Sequence, residues 1–425
     1  MSVRSTLARA GVRLRHTSTR AWRALPISAA TRHRLARPFV WRRGLDKVPA
    51  ERILLGGQNG HTAEEYAAWS DDLTWGSRRV LDGPHAALLR RSTRGDLTDA
   101  EILDSEYGAM ARACVRGSGH YFGASDDAGI VRVARDFLVH SNGGDADGSK
   151  PAQSAPDAPV LLAPVRGSGC FQVVDGHHRV ALRGVAGHDL VPARVRRTSV
   201  TTPLQELLDQ MSWIGGKREL YQPVAAPELE DSWTTVRRCR DRLDAMDKLL
   251  ADVGVVRPGS TYLDVASCYG WFVAEMTRLG FTATGIERDP LARRLGPAIY
   301  ETLEPEQIMT GDAVEFLRGD RGPWDVVSCF SLLHHFVLGR GSVDEVTLLR
   351  LLDRATSRVL FIDTGQGHEA WFRKSLAGWD ADHVGEFLER HGTFDRVIDL
   401  GPDHDDVPPY EENYGRHLFA CVRNA

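Results

Sequence analysis

The first third of the chain has a helical spacing of apolar residues. In LTDAEILDSEYGAMARACV, the apolar residues Ile102, Leu103, Met110 and Cys114 fall on one face of a helix. Residues 48–140 contain further segments with apolar residues three or four positions apart. We therefore predict that this region is mostly helical.

A strand pattern replaces the helical one at residue 159. The sequence PVLLAPVRGSGCFQVVDGHHRVAL predicts strands at 159–166 and 170–174, joined by a tight turn, and then a helix from about residue 177. VPARVRR predicts one further strand, which ends near residue 197. The N-terminal half is thus predicted to be a small α+β domain.

From residue 256 onwards, short apolar runs alternate with helical segments. The clearest apolar runs are YLDVA (262–266), TATGIE (282–287), WDVVSCFSLL (324–333) and RVLFIDT (358–364). Such strands are typical of a parallel sheet that is covered by helices on both faces. FDRVIDLG and RHLFACVRN predict two consecutive strands at the end, which indicates a terminal antiparallel hairpin.

Composition marks the boundaries between these regions. Residues 141–158 are rich in Gly, Ser, Asp, Ala and Pro, which predicts a loop inserted into the α+β domain. Residues 232–253 have a helical apolar spacing, and Pro258 with Gly259 ends that pattern. We predict four regions: a basic arm at 1–47, an α+β domain at 48–200, a helical linker at 201–255 and an α/β domain at 256–425.

The bulk composition is that of a soluble globular protein. Of 425 residues, 42% are hydrophobic and 26% are charged, and no run of about 18 apolar residues occurs. We expect no transmembrane helix, and no secretory signal peptide because no apolar segment follows the N-terminal charges. The six cysteines include no C-x-x-C pair, so we expect no metal site, no disulfide framework and a cytoplasmic location.

Charge is distributed unevenly along the chain. Residues 1–47 carry 12 of the 53 basic residues and a single acid, Asp46. A basic arm on an acidic body can bind nucleic acid or an anionic membrane surface. A solvated terminus and an organellar transit peptide have a similar composition. Arg outnumbers Lys 48 to 5, which suits a GC-rich bacterial genome, so the composition of the arm reflects codon usage more than targeting. We favour a solvated terminus over a nucleic-acid or membrane partner.

Three acids follow successive strands of the predicted α/β domain. Asp264 lies within LDVASCYGWF, Glu287 ends the second strand, and Asp312 follows the third. Open α/β sheets bind ligands at the carboxyl ends of their strands, where an acid after the second strand accepts both hydroxyls of a ribose. Asp312 could accept from an adenine amino group, with the backbone N–H of Ala313 near a ring nitrogen. The three acids together predict a cofactor that contains a nucleoside.

The loop after the first strand separates two classes of such cofactors. A dinucleotide presses its pyrophosphate against the loop backbone and the helix N-terminus, which requires glycines. Here Ala266, Ser267 and Cys268 occupy the loop, and only Gly270 is a glycine. S-adenosylmethionine has no phosphate, and its ammonium and sulfonium groups suit an acid at Asp264. The loop therefore favours S-adenosylmethionine.

Residues 256–425 resemble a class I S-adenosylmethionine-dependent methyltransferase. LDVASCYGWF is similar to motif I, GIERDP and GDAVEFL to the segments with the second and third acids, and WDVVSCFSLLHHF to the fourth-strand motif of many small-molecule methyltransferases. The resemblance implies a Rossmann-like seven-stranded sheet whose last strand is antiparallel. Ala266 and Cys268 replace two motif-I glycines, which lowers the expected affinity. The cofactor-binding residues that the resemblance implies are Asp264, Ala266, Ser267, Cys268, Gly270, Glu287, Arg288, Asp312, Ala313 and Ser331.

Methyl transfer is an in-line displacement at the sulfonium carbon, so the protein mainly orients the reactants and excludes water. His334 and His335, at the end of the fourth strand, are the candidates for a general base. Alternatively, one of them packs or holds the cofactor and the other is inert. The acidic stretch 399–417 predicts a loop over the edge of the site. Such a loop disfavours a polyanionic acceptor and favours a small molecule or a sugar.

VVDGHHRVAL (173–182) predicts a second binding site. A strand enters a glycine turn and then a helix whose first turn carries histidines and an arginine, which is typical of an anion site. The segment resembles the phosphate-binding signature of the ParB/sulfiredoxin superfamily. The resemblance implies a nucleotide bound by Asp175, Gly176, His177, His178 and Arg179. His177 stands where sulfiredoxins carry a cysteine, so sulfiredoxin chemistry is not expected, and a charged, capped helix is the alternative.

The sequence thus predicts a bacterial methyltransferase that moves a methyl group from S-adenosylmethionine to a small-molecule or sugar-type acceptor. Its N-terminal ParB/sulfiredoxin-like domain would bind an anion or a nucleotide. The alternative is a nucleotide-binding regulatory or DNA-associated protein with a non-catalytic methyltransferase-like domain. A bifunctional kinase–methyltransferase is a third hypothesis.

Overall fold

The computed structural model describes residues 41–42, 44–141, 158–211, 217–319 and 321–424. The chain forms two compact units. Unit 1 extends to Arg218 and includes Ala225–Trp233, whereas unit 2 comprises Glu219–Val224 and the chain from Thr234 onwards. Most of the basic arm and nearly all of the loop predicted at 141–158 lie outside the described residues.

Unit 1 contains a five-stranded mixed sheet. Its strands are β1 (Asp46–Pro49), β2 (Ile53–Leu54), β3 (Val160–Pro164), β4 (Phe171–Asp175) and β5 (Leu190–Val195). Their order in the sheet is β1-β5-β3-β4-β2. The β3–β4 and β1–β5 pairs are antiparallel, whereas the other two pairs are parallel. The strand–turn–strand pattern predicted from residue 159 is therefore confirmed.

Helices account for about half of the remaining described residues of unit 1. They are α1 (Ala63–Ser70), α2 (Pro84–Ser92), α3 (Asp99–Leu103), α4 (Glu106–Ser118), α5 (Asp127–Ser141), α6 (His177–Val185) and α7 (Pro203–Gln210), with 3-10 turns at Ala50–Arg52, Trp75–Ser77 and Val80–Asp82. Thr62, Thr98 and Thr202 close capping boxes at α1, α3 and α7. The helical content predicted for residues 48–140 is confirmed. The resemblance to the ParB/sulfiredoxin superfamily stays a prediction.

Unit 2 contains a seven-stranded sheet. After a short parallel pair, β6 (Glu219–Leu220) and β7 (Thr234–Thr235), its strands are β8 (Thr261–Val265), β9 (Thr282–Glu287), β10 (Ile308–Thr310), β11 (Trp324–Cys329), β12 (Thr356–Ile362), β13 (Arg396–Pro402) and β14 (His417–Val422). The order is β10-β9-β8-β11-β12-β14-β13. Strand β14 is antiparallel to both of its neighbours, and the first five strands are parallel. The predicted seven-stranded sheet with an antiparallel last strand is confirmed.

Helices cover both faces of this sheet. They are α8 (Arg240–Asp252), α9 (Trp271–Arg278), α10 (Ala292–Ile299), α11 (Ala313–Arg318), α12 (Leu333–Val337), α13 (Glu345–Ala355) and α14 (Ala381–His391), with a 3-10 turn at Pro305–Gln307. On β12, Val359 and Phe361 join the core under α8 and α9, whereas Leu360 and Ile362 join the core under α13 and α14. Because both faces are buried, the central strands are apolar without alternation.

The segment predicted as a helical linker, 201–255, differs from the expectation. Helices α7 and α8 lie within it, but the helix predicted from residue 232 begins only at Arg240. Residues 234–235 form strand β7, and Cys239 has a left-handed backbone with φ of 64°. The left-handed backbone of Cys239 is incompatible with a right-handed helix at that residue, so the helix begins after it.

None of the helices in the described part of the chain has the length and apolar composition needed to cross a bilayer.

Candidate functional site

A cavity that is partly open to solvent lies in unit 2 at the carboxyl end of β8. Strand β8 is central, with β9 on one side and β11 on the other, so chain order reverses there. This is the position at which open α/β sheets bind ligands. The residues that line the cavity are Tyr221, Gln222, Arg237, Cys239, Arg242, Asp264, Ala266, Cys268, Phe272, Phe330 and Ser331.

Two non-glycine residues of the loop between β8 and α9 adopt the left-handed backbone conformation that favours glycine. Ala266 and Cys268 have φ angles of 63° and 56°, and Gly270, which precedes α9, has φ of 87°. A left-handed backbone costs a non-glycine residue about 1–2 kcal/mol. Ser331 of the same cavity is also left-handed, with φ of 57°. Strained residues of this kind concentrate at functional sites.

Asp264 is buried at the end of β8. Its Oδ1 accepts a hydrogen bond of 2.7 Å from the Ser328 hydroxyl, which in turn lies 2.5 Å from the Tyr262 hydroxyl. Its Oδ2 is buried and has no hydrogen-bond partner among the described residues. Burial and the nearby charge of Glu287 raise the pKa of Asp264 to about 7, although the Ser328 bond opposes the shift. The cavity therefore contains an unsatisfied carboxylate oxygen that titrates near neutral pH.

Glu287 ends β9 beside the loop. Its Oε2 accepts a 2.9 Å bond from the backbone N–H of Cys268, and its Oε1 accepts a 3.0 Å bond from that of Asp289. Burial raises the pKa of Glu287 above its ordinary value, and the backbone bonds oppose the shift. A carboxylate has about four lone-pair sites, so Glu287 could accept a further bond from a ligand beyond its backbone donors.

The third acid, Asp312, lies at the start of α11. Its Oδ1 accepts from the backbone N–H groups of Val314 and Glu315, so it caps that helix. Asp312 and Arg288 are exposed, and neither lines the cavity. Of the predicted cofactor residues, the cavity brings together Asp264, Ala266, Cys268 and Ser331, whereas Ser267, Gly270, Glu287, Arg288, Asp312 and Ala313 lie outside its lining.

Seven lining residues were not predicted from the sequence, and the most informative of them is Arg237. Its Nη2 lies 2.7 Å from Asp363 Oδ2, and its Nε lies 2.9 Å from Asp405 Oδ2. Its Nη1 is buried and has no partner within the described residues. No motif precedes α8, so the only sequence signal was an arginine among apolar residues of a predicted helix. Two residues that line the cavity thus each have a buried polar atom without a partner in the described structure: Nη1 of Arg237 and Oδ2 of Asp264.

Arg242 lies in the same buried charge network. Its Nε is 2.9 Å from Asp363 Oδ2 and its Nη1 is 3.0 Å from Asp405 Oδ2, while its Nη2 binds Asp403. Burial alone would raise the pKa of Asp363, but Arg237 and Arg242 hold it below its ordinary value. This network changes the interpretation of the acidic stretch 399–417 in part. Asp403 and Asp405 are buried in ion pairs and supply no argument against an anionic acceptor, whereas Asp406, Glu411 and Glu412 of the same stretch are exposed.

The two candidate histidines at the end of β11 differ in their surroundings. His334 is buried on α12, and its Nδ1 accepts a 3.1 Å bond from the backbone N–H of Gly365. Burial and the charge of Arg416 lower the pKa of His334 well below its ordinary value, so its ring is neutral. A neutral ring that accepts at Nδ1 carries its proton at Nε2, so His334 is a hydrogen-bond donor.

His335 is only half-buried, and no hydrogen bond to its ring occurs in the part of the chain that the structure describes. Burial, with the charges of Arg340, Arg416 and Arg288, lowers the pKa of His335. The ring is therefore neutral near pH 7 and able to accept a proton. The two histidines thus differ: His334 is buried and bonded to Gly365, whereas His335 is half-buried and has a neutral ring.

The predicted anion site of unit 1 has its side chains engaged within the protein. Arg179 Nη2 binds Asp175 at 2.6 Å, and Nη1 binds the Pro159 carbonyl at 3.0 Å. His177 Nε2 accepts from the backbone N–H of Gly56 at 3.0 Å, and His178 Nε2 lies 2.8 Å from the Tyr107 hydroxyl. Gly176 precedes α6 with φ of 110° and supplies no side-chain cap. The donors left for an anion are the backbone N–H groups of the first turn.

His85, on α2, lies against this turn and was not predicted. It is fully buried, and neither ring nitrogen has a hydrogen-bond partner in the described structure. Its ring stacks on His177 at 5.3 Å and lies 4.9 Å from the ring of His178. Burial, followed by the charges of His178 and His177, lowers the pKa of His85. Unsatisfied buried groups of this kind call for a bound water or ligand.

Comparisons with known proteins provide structural likenesses only. No protein-family model matches the chain, and no curated protein matches it. Crystal structures of WbdD, one described as a bifunctional kinase–methyltransferase, match at 22% identity with a TM-score of 0.40, covering 52% of this chain and 46% of that chain. This chain therefore spans about half the length of WbdD.

Two further solved structures match more weakly. Magnesium protoporphyrin IX methyltransferase (ChlM) from Synechocystis PCC 6803, crystallised with bound SAM, is 15% identical with a TM-score of 0.31 over 43% of this chain and 80% of that chain. A putative methyltransferase from an antibiotic biosynthesis pathway of Anabaena variabilis ATCC 29413 is 15% identical with a TM-score of 0.29, over 39% and 68%. At these values the likeness carries no argument about function, which rests on the geometry of the site.

Proposed function

We propose that unit 2 binds S-adenosylmethionine and transfers its methyl group to a small-molecule acceptor. One observation carries this proposal. A single cavity is lined by Arg237, whose Nη1 lacks a partner, and by Asp264, whose Oδ2 lacks one. An unsatisfied cationic donor and an unsatisfied acidic acceptor complement the carboxylate and the ammonium of an α-amino acid. The methionine part of S-adenosylmethionine has both groups.

The surroundings of the cavity suit the rest of that ligand. Glu287 lies at the end of β9, where an acid accepts from ribose hydroxyls. Asp312 lies at the end of β10, on the side where the adenine would extend, and retains an exposed Oδ2. Phe272 and Phe330 line the cavity with ring centroids 4.8 Å apart, which adds apolar surface next to the charged groups.

In this proposal the cofactor supplies an activated methyl group, and the chain supplies orientation and proton transfer. His335 accepts the proton that a hydroxyl acceptor loses during methyl transfer. His334 donates from Nε2 and is fixed by Gly365, so it orients either the acceptor or the cofactor. The small-molecule or sugar class of the acceptor rests on the resemblance of the fourth-strand segment to small-molecule methyltransferases.

Calorimetric titration of the full chain with S-adenosylmethionine and S-adenosylhomocysteine tests the binding step. Mass spectrometry of cell extracts incubated with the protein and methyl-labelled cofactor then tests transfer. We expect both ligands to bind and a labelled product to form, with much less product from His335→Ala. Absence of binding to the wild-type chain would refute the proposal. Binding without any labelled product would favour the non-catalytic alternative.

We further propose that unit 1 binds an anion, in the form of a nucleotide, at the first turn of α6. The support is the glycine cap, which leaves backbone N–H groups for a ligand, and the unsatisfied His85 beside that turn. Titration of the full chain with ATP and CTP tests this site, with Arg179→Ala as the variant that releases Asp175. Absence of binding of either nucleotide would refute it. DNA retardation that disappears on deletion of residues 1–47 would instead favour a DNA-associated protein.

A further inference from the structure

Gln222 lines the cavity, and both polar atoms of its side-chain amide make hydrogen bonds to the loop before α9. Its Oε1 accepts hydrogen bonds from the backbone N–H groups of Tyr269, at 3.0 Å, and Trp271, at 3.1 Å. Its Nε2 donates a 3.2 Å bond to the carbonyl of Ser267. Only this orientation of the amide satisfies all three bonds, so it is fixed by the network.

The short segment that carries Gln222 is held firmly within unit 2. Leu220 belongs to β6, which pairs with β7, and its carbonyl accepts a 2.7 Å bond from the backbone N–H of Val236. On the other side of Gln222, the Pro223 carbonyl accepts a 2.7 Å bond from the Tyr300 hydroxyl. Gln222 itself is buried. Its amide is thus presented to the loop by a backbone that is fixed on both sides.

The position of this amide has a chemical consequence. Trp271 is the first residue of α9, and the N–H groups at a helix N-terminus are the ones that bind phosphate in dinucleotide sites. Here the Gln222 oxygen already occupies two N–H groups at this end. A phosphate would have to displace the amide and would leave the Ser267 carbonyl without its donor. A ligand without phosphate does not need to displace the amide, so the Ser267 carbonyl keeps its donor.

We propose that Gln222 is a positioning and specificity-determining residue, which caps α9 from outside the loop and thereby excludes phosphate-bearing ligands from the cavity. The same three bonds hold the loop in the left-handed conformation of Ala266 and Cys268. The loop therefore keeps its shape without the two glycines. This inference rests on the cavity being the cofactor site proposed above, but its test does not require methyl transfer.

The test measures binding of inorganic pyrophosphate to the full chain by calorimetry. Gln222→Ala removes the amide and frees the N–H groups of Tyr269 and Trp271. We expect this variant to bind pyrophosphate at least about tenfold more tightly than the wild type, a difference of about 1.4 kcal/mol. The added binding should be competed away by S-adenosylhomocysteine. Affinity for S-adenosylmethionine should fall, because the loop loses its support.

Two matched variants serve as controls. Gln222→Glu keeps an acceptor for the two N–H groups, so it should not gain pyrophosphate binding and should retain more cofactor affinity than Gln222→Ala. Gln307→Ala truncates a glutamine of unit 2 that bonds Thr277 and Ala283 away from the cavity, so it should behave like the wild type. It also reports pyrophosphate bound elsewhere, for example by the basic arm. If Gln222→Ala does not fold, Gln222→Asn replaces it as the test variant, because its side chain is one methylene shorter and moves the amide away from the loop.

Two results would overturn the proposal: no gain of pyrophosphate binding in the folded Gln222→Ala or Gln222→Asn chain, or an equal gain in Gln222→Glu. Failure of the wild-type chain to bind S-adenosylmethionine is a separate result. It refutes the proposed function, whereas the pyrophosphate comparison still decides whether Gln222 blocks the helix N-terminus.

Discussion

The affinity of unit 2 for S-adenosylmethionine should depend on the ionisation of Asp264. The free carboxyl has a pKa of about 7, because burial outweighs the bond from Ser328. The cofactor ammonium pairs with the ionised form, so binding below this pKa must first release a proton. One linked proton weakens affinity about tenfold per pH unit, which gives roughly a 25-fold loss between about pH 7.5 and pH 5.5. Above about pH 8 the ligand's own amino group loses its proton, so the profile should be bell-shaped.

Calorimetry over this pH range, in buffers of different ionisation enthalpy, measures both the affinity and the protons released. Methylthioadenosine has no amino acid part, so its weaker binding should not change between pH 5.5 and 7.5. Asp264→Asn should bind S-adenosylmethionine weakly, and its affinity should no longer fall below pH 7. A wild-type affinity that is constant over this range, with no proton release, would refute the pairing of Asp264 with the ammonium.

Three further predictions concern strain, acid sensitivity and the buried charges. Cys268→Gly should stabilise unit 2 by up to about 1 kcal/mol in urea unfolding, because it relieves the strain of a left-handed φ of 56°. A loss of stability would show that the packing of the Cys268 side chain contributes more than the backbone strain costs. His177 has a pKa lowered to about 3 by burial and the charge of His178, so the unfolded chain takes up its proton first. The stability of unit 1 should thus be full above about pH 6.5 and fall as the pH drops towards 3, and a flat profile by thermal unfolding would contradict this. Arg242→Met should lower the free energy of unfolding by about 3–5 kcal/mol, because it leaves Asp403 and Asp405 without this buried partner. The control Arg278→Ala removes an exposed arginine, so its free energy of unfolding should stay within about 0.5 kcal/mol of the wild-type value.

The sheet of unit 2 could be predicted from the sequence because the burial of each strand determines the apolar pattern of that strand alone. Strands such as β12 are buried on both faces by successive residues, so they appear as apolar runs of the right length. Asp264 and Glu287 could be placed at strand ends for the same reason. The acids were recognisable because position in a parallel sheet determines which end of a strand faces a ligand.

Arg237 and Gln222 could not be predicted in this way. Both reach the cavity from segments outside the seven-stranded sheet, through contacts with residues 126 and 47 positions away in the chain. Apolar spacing around Arg237 predicted a helix, since periodicity does not register a buried ion pair. The acidity of Asp403 was likewise visible in the sequence, but its neutralisation by Arg242 was not.

In the predicted anion motif of unit 1, the backbone elements could be predicted from the sequence, but the bonds of the side chains could not. The strand, the glycine turn and the helix from His177 were all predictable from VVDGHHRVAL. What the side chains bind was not all predictable, because His178 bonds Tyr107 of α4 and Arg179 Nη1 bonds the carbonyl of Pro159, and both partners are distant in sequence. The composition of this segment therefore predicted the turn and the helix, but not the bonds that its side chains make.

The pairing of Arg237 and Asp264 with an amino acid is tested most directly by a ligand series. Calorimetry should compare S-adenosylmethionine, decarboxylated S-adenosylmethionine, which lacks the carboxylate, and methylthioadenosine, which also lacks the ammonium and the sulfonium charge. Each charge-assisted hydrogen bond contributes about 1.5–3 kcal/mol, so we predict a loss of affinity of roughly 10- to 150-fold at the first step and at least as large a loss at the second. Equal affinities for all three ligands, or no binding of S-adenosylmethionine at all, would contradict the account.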